Sequence, residues 1–162
     1  MSAYSDILIE RFRNQGLLID SNLALLYLIG LFNVGLVGDA KYKKLAKYGR
    51  EEFDILLRLK EAFRKAVTTP HVLTEVSNLA NDLPEQTKAA CLRKFHETFA
   101  EIDELSIPSM DAAQRPEFPF LGLTDSALAI VSRQYLIVTD DARFVKKLNE
   151  SGLEALNFNH LR

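Results

Sequence analysis

A single cysteine, Cys91, in a chain of 162 residues excludes an internal disulfide. It lies in a stretch with amphipathic helical spacing, where a small buried hydrophobe is the ordinary role of a thiol. Lack of a disulfide framework suits a reducing compartment. Long hydrophobic runs are missing too. The longest, 23–37, is interrupted by Tyr27, Gly30, Asn33 and Gly35, and falls short of the roughly 20 apolar residues a membrane span needs. Asp6, Glu10 and Arg11 break up the first stretch, so no basic region precedes an apolar core as in a signal peptide. The expectation is a cytoplasmic chain. His71, His96 and His160 form no metal-ligand spacing, and one cysteine offers no thiolate pair, which argues against zinc. Gly30, Gly35 and Gly38 follow a helical stretch at the wrong spacing for a phosphate-cradling loop. No serine sits in a nucleophile elbow. There is no internal repeat and no low-complexity segment.

What is present is the material of one soluble domain. A chain of this length buries roughly 70% of its unfolded surface, enough for a core without staples. The hydrophobic fraction of 48% and charged fraction of 26% are those of an ordinary globule. The net charge of −2 hides an uneven distribution. Between 39 and 66, Lys41, Lys43, Lys44, Lys47, Arg50, Arg58, Lys60, Arg64 and Lys65 outnumber the acids; between 97 and 125, Arg115 alone opposes the acids. Such a basic region on a mildly acidic chain reads either as a phosphate-binding face or as a solvated helix surface.

Strands and helices alternate along the chain. Ser5 is placed to cap a helix over 6–13, ended by Asn14-Gln15-Gly16. Leu17-Leu18-Ile19 reads as a short buried strand that ends at Asp20, and an apolar helix opens at Ser21 or Asn22. Further helices are expected over 41–48 and 51–66. Val67-Thr68-Thr69 is a second strand stopped by Pro70, which suits the first turn of a helix over 71–81. Another helix begins at Pro84 or Glu85, with Leu92, Phe95, Phe99 and Ile102 as its stripe. A third strand is expected over 104–107, then a loop over 109–123 containing Pro116 and Pro119. Thr124 or Asp125 starts a helix apolar on all sides, hence buried. Tyr135 to Val138 is the clearest strand; a helix with Gly152 at its C-cap and a last strand over 153–158 follow. Strands alternating with helices imply an α/β fold, a parallel sheet with right-handed crossovers and helices on both faces. The reading is one domain, 1–162, with a helical extension over 1–16 and a core over 17–158.

Four acids stand out by position. Asp20 and Asp141 both follow buried strands of a parallel sheet, so they leave the same edge, where ligands of open α/β sheets sit. Glu75 flanks the apolar face of the helix after the second strand, and Asp125 opens the buried helix before the fourth. Each also has an ordinary reading. Asp20 and Asp125 suit helix N-caps, Glu75 a solvated edge, and Asp140-Asp141 a turn with a cap. Gathered together, uncompensated carboxylates repel and some stay protonated. A divalent cation removes that penalty, and oxygen-only ligands select Mg²⁺ or Mn²⁺.

Leu-Leu-Ile-Asp20-Ser-Asn, Thr-Pro-His-Val-Leu-Thr-Glu75-Val, Leu-Thr-Asp125-Ser-Ala-Leu-Ala and Ile-Val-Thr139-Asp140-Asp141, in this order over 17–158, resemble the PIN-domain ribonucleases. The resemblance implies a doubly wound, Rossmann-like sheet of about five parallel strands between helical layers. It implies a Mg²⁺- or Mn²⁺-dependent endoribonuclease whose metal lies among Asp20, Glu75, Asp125 and Asp141. The last motif is usually Thr-x-Asp, which matches Asp141 and leaves Asp140 in the variable place. Thr139 and Asn22 would be supporting hydrogen-bonders, and Asn78 would orient Glu75. Many relatives are the toxin of a toxin–antitoxin pair and form dimers, so a cognate antitoxin and a homodimer are implied as partners beside the RNA substrate. Tyr42 and Tyr48 in the basic region are candidates for base stacking. The helix before Asp20 and the length of the basic segment depart from the small toxin-type members. A catalytically inactive PIN scaffold that binds RNA or protein is the alternative. A phospho-aspartyl phosphatase is disfavoured, because Asn22 stands where its second Asp belongs.

Overall fold

In the computed structural model, which describes residues 3–162, the chain runs α1 (Ala3–Phe12), β1 (Leu17–Ile19), α2 (Ser21–Asn33), α3 (Arg50–Glu61), β2 (Ala66–Thr68) and α4 (Pro70–Leu79). It continues with α5 (Glu85–Phe99), β3 (Asp103–Glu104), α6 (Ser109–Ala113), α7 (Phe118–Val131), β4 (Leu136–Thr139), α8 (Ala142–Glu150) and β5 (Ala155–Asn157). The five strands form one parallel sheet in the order β3-β2-β1-β4-β5. This is the expected doubly wound α/β architecture. No helix among the described residues is long and apolar enough to cross a membrane.

The hydrophobic pattern explains the centre of the sheet. Leu17, Leu18, Leu136, Ile137 and Val138 are all fully buried, so β1 and β4 cannot be edge strands. β3, at the margin, is two exposed acids long, and a short charged strand does not invite pairing with another chain. The strand order changes direction between β1 and β4: β1 leads on to β2 on one side, β4 to β5 on the other. That topological switch point opens a crevice at the carboxyl ends of the two central strands. The register is continuous up to its lip. Ile19 pairs with Val138, and the Asp20 amide still donates to the Val138 carbonyl at 3.0 Å.

Several boundaries differ from the sequence reading. Ser5 does not cap α1; it is buried inside that helix. The segment 41–48 is a series of turns, not a helix, although Tyr42, Leu45 and Tyr48 are buried as an amphipathic spacing would have them. α3 stops at Glu61, and Ala66 already belongs to β2. The third strand is shorter and one residue earlier than expected, with Leu105 continuing one bond to the Thr68 carbonyl at 2.8 Å. The loop expected over 109–123 is largely helical. Pro119 sits in the first turn of α7, where its missing N–H costs nothing.

Two glycines are required by geometry. Gly122 has φ 79 and ψ −175 and breaks α7, so the apolar turn carrying Asp125 starts afresh behind it. Gly30 lets α2 lie against α3: a Cβ there would stand 2.2 Å from Phe53 Cδ2. Overpacking of that kind costs about 1–3 kcal/mol, more than the roughly 1 kcal/mol alanine returns in helix propensity. Gly30→Ala is therefore expected to lower the urea midpoint, and adding Phe53→Leu to restore much of it. An unchanged midpoint in Gly30→Ala would contradict this packing.

Candidate active site

The crevice at the switch point collects carboxylates from four separate elements. Asp20 ends β1 and caps α2: its Oδ1 accepts the Leu23 amide at 2.9 Å, and its Oδ2 accepts the Thr139 hydroxyl. The side chain is nearly buried, with the residue 6% exposed. Burial pushes its pKa up to about 7; the Thr139 and Leu23 hydrogen bonds pull the other way, and the charges of Asp140 and Asp125 push it further up. Capping and membership of the cluster are thus compatible, since each carboxylate oxygen keeps a lone pair after one accepted bond.

Thr139 joins the two central strand ends. Its hydroxyl donates to Asp20 and accepts the Asp141 amide at 3.0 Å, which fixes the orientation of that hydroxyl. Asp141 caps α8 through Oδ1, which takes the amides of Arg143 at 2.7 Å and Phe144 at 3.1 Å. Its other oxygen is uncommitted and the residue is exposed. Asp140, by contrast, is spoken for. Its side chain is 6% exposed, and Oδ2 accepts both Lys47 Nζ and the Tyr48 hydroxyl, the latter at 2.8 Å. The two neighbours therefore have different jobs: Asp140 is neutralised by the basic segment, and Asp141 faces the crevice.

Glu75 reaches the cluster from α4, where its Oε2 accepts the Ser21 hydroxyl at 2.9 Å. Asp125 is half-buried in α7 and makes no hydrogen bond among the described residues; the N-terminal cap position of that helix is Glu117, so Asp125 is not a cap. Burial, then the charges of Glu75 and Asp141, push its pKa up to about 7. Asp125 thus feels the charges of Glu75 and Asp141, and Asp20 feels that of Asp125.

The supporting cast differs from the expectation. Thr139 supports Asp20, but Asn22 and Asn78 make no side-chain hydrogen bond among the described residues; Ser21 orients Glu75 instead. Tyr42 and Tyr48 are buried, so neither ring is free to stack on a base. Lys41, Lys43, Lys44 and Lys47 are exposed. Neither the Ser21–Glu75 nor the Lys47–Asp140 partnership has a sequence signal, because the partners lie 54 and 93 residues apart.

Chemically the donors are oxygens alone, the set a hard dication prefers. Among the described residues, no three His, Cys, Asp or Glu side chains are grouped so as to share one ion. In donor chemistry alone these residues fit such an ion.

Together these features define a class: a doubly wound α/β protein with a carboxylate cluster at its switch point. No family model, curated protein or solved structure matches the chain.

Both raised acids bear on stability. Each is at about 7 in the folded chain against an ordinary 3.8, so between those values the folded state holds protons that the unfolded state has given up. Their contribution is complete below about pH 4 and is lost as the pH rises through 7. In metal-free buffer, Asp125→Asn is expected to flatten the fall of unfolding free energy over that window. An unaltered slope would contradict the raised value.

Proposed function

We propose that the chain is a PIN-like, metal-dependent endoribonuclease. The observation that supports this most is the coupling of Asp20, Glu75, Asp125 and Asp141 at the one edge of the sheet where a ligand can enter. Lys47 pairs with Asp140 beside it, and the exposed Lys41, Lys43 and Lys44 of the same segment suit a phosphate backbone. The preference for RNA over DNA rests on the resemblance of the four motifs.

Held by Asp20, Glu75, Asp125 and Asp141, Mg²⁺ or Mn²⁺ would supply a bound water of lowered pKa and a positive charge for the scissile phosphate. The chain's own residues set up that chemistry. Thr139 fixes Asp20 and Ser21 fixes Glu75, each through one carboxylate oxygen. Asp20 and Asp125, each at about 7, shed their protons as positive charge arrives, which ties activity to neutral and higher pH. Asp140 is paired with Lys47, which offsets part of its charge toward an incoming phosphate.

The test is cleavage of a mixed RNA pool, with single-stranded DNA alongside, in Mn²⁺. Losing one such carboxylate is expected to cost more than the roughly 10–100-fold typical of outer supporting residues. Asp20→Asn and Asp125→Asn should therefore fall at least about 100-fold, while Lys94→Gln, on the outer surface of α5, should match wild type. Equal activity in all forms would end the nuclease reading. RNA binding without turnover in wild type would favour the inactive-scaffold alternative.

A further inference from the structure

A trench of about 490 Å³ begins at Glu75 and runs between α4 and the α6–α7 segment. It lies on the β2 side of the carboxylates, opposite to Lys47 and Asp140 on the β4 side. Its size is within the roughly 300–1,000 Å³ of small-molecule clefts. Ile107 and Leu123 give it apolar wall, and His71, Thr74, Asn78 and Ser109 give it polar rim. None of the residues lining it is a lysine or an arginine, and Glu75 is its one acid. A phosphate therefore has nothing to pair with there and one charge to avoid. A flat neutral group with apolar faces and a hydrogen-bonding edge has what it needs.

Three details favour such an occupant. His71 lines the trench, its Nδ1 buried with no hydrogen-bond partner among the described residues and its Nε2 at 3.3 Å from Ser109 Oγ. Imidazole faces are among those on which unstacked bases lie. Asn78 is exposed and its amide is uncommitted, offering two donors and an acceptor to a base edge. Leu123, 36% exposed, lays apolar surface along the trench itself.

We propose that the trench is a nucleobase subsite, taking the base of a nucleotide adjacent to the phosphate that sits over the carboxylates. This rests on the nucleic-acid reading above and deepens it. The chain then divides its substrate by chemistry: a backbone phosphate goes toward Lys47 on the β4 side of the carboxylates, and one base goes into the neutral trench on the β2 side. Thr74 and Asn78 are specificity-determining residues, and neither needs to touch the reacting atoms.

The test uses the full chain in metal-free buffer, with ¹H–¹⁵N spectra recorded during separate titrations with adenosine, uridine and inorganic phosphate. At least one nucleoside is expected to shift the amides of Thr74, Asn78, Ser109 and Thr124, and phosphate to leave them unmoved. Thr74→Tyr, an exposed change that fills the trench, should weaken nucleoside binding at least tenfold. Asn78→Ala should alter the ratio of adenosine to uridine affinity. The proposal is overturned if neither nucleoside moves these amides, if phosphate moves the same ones, or if Thr74→Tyr binds as wild type does. These readouts need no turnover. Absence of cleavage in Mn²⁺ would count against the nuclease, and a silent trench against the subsite.

Discussion

Acids from distant stretches of this chain come to one lip of the sheet because β1 pairs with β4. The pairing is parallel, so both strands deliver their next residue to the same lip: Asp20 from one, Asp140 and Asp141 from the other. Leu17, Leu18, Leu136, Ile137 and Val138 are fully buried, and each such side chain contributes about 1.5–3 kcal/mol. That burial exceeds what the adjoining acids can cost, particularly as two of them ease the strain by keeping protons near neutrality. The cluster is affordable only on a core of this kind. It is also fixed by it, since sliding β1 by one residue would carry Asp20 away from Thr139.

Within the cluster, hydrogen bonds sort the acids into different roles. Asp140 is tied to Lys47 and Tyr48, and so anchors the turn-rich basic segment to the end of β4. Asp141 uses one oxygen on α8 and leaves one for the crevice. Asp20 and Glu75 are each steadied by a hydroxyl, from Thr139 and Ser21. Asp125 has no such partner and is placed by its backbone alone, on the fresh helical turn behind Gly122. A single strained-looking feature thus has a use: φ 79 at Gly122 is where α7 redirects itself toward the other acids.

How far the chain could be read in advance follows from the range of each interaction. β1 and β4 were legible because a fully buried strand is a local apolar run, and the positions of Asp20 and Asp141 follow from strand ends. The parallel α/β layout followed from alternation. The segment 41–48 misled because Tyr42, Leu45 and Tyr48 repeat as on a helix, whereas buried turns produce the same spacing. The stretch 109–123 misled because Pro119 breaks a helix interior but is at home in a first turn. Asn78 was assigned to Glu75 by its neighbouring turn on α4; the actual partner, Ser21, comes from another element altogether. Partnerships across 54 or 93 residues leave no mark on either local pattern.

The central claim is that these acids are gathered for a shared hard cation. Calorimetric titration of the metal-free chain with Mn²⁺ at pH 7, repeated in buffers of different ionisation enthalpy, tests it most directly. With the pKa values of Asp20 and Asp125 both raised to about 7, binding should release protons, and Asp125→Asn should weaken binding and reduce that release. No saturable binding at millimolar Mn²⁺, or binding that neither releases protons nor responds to Asp125→Asn, would contradict it.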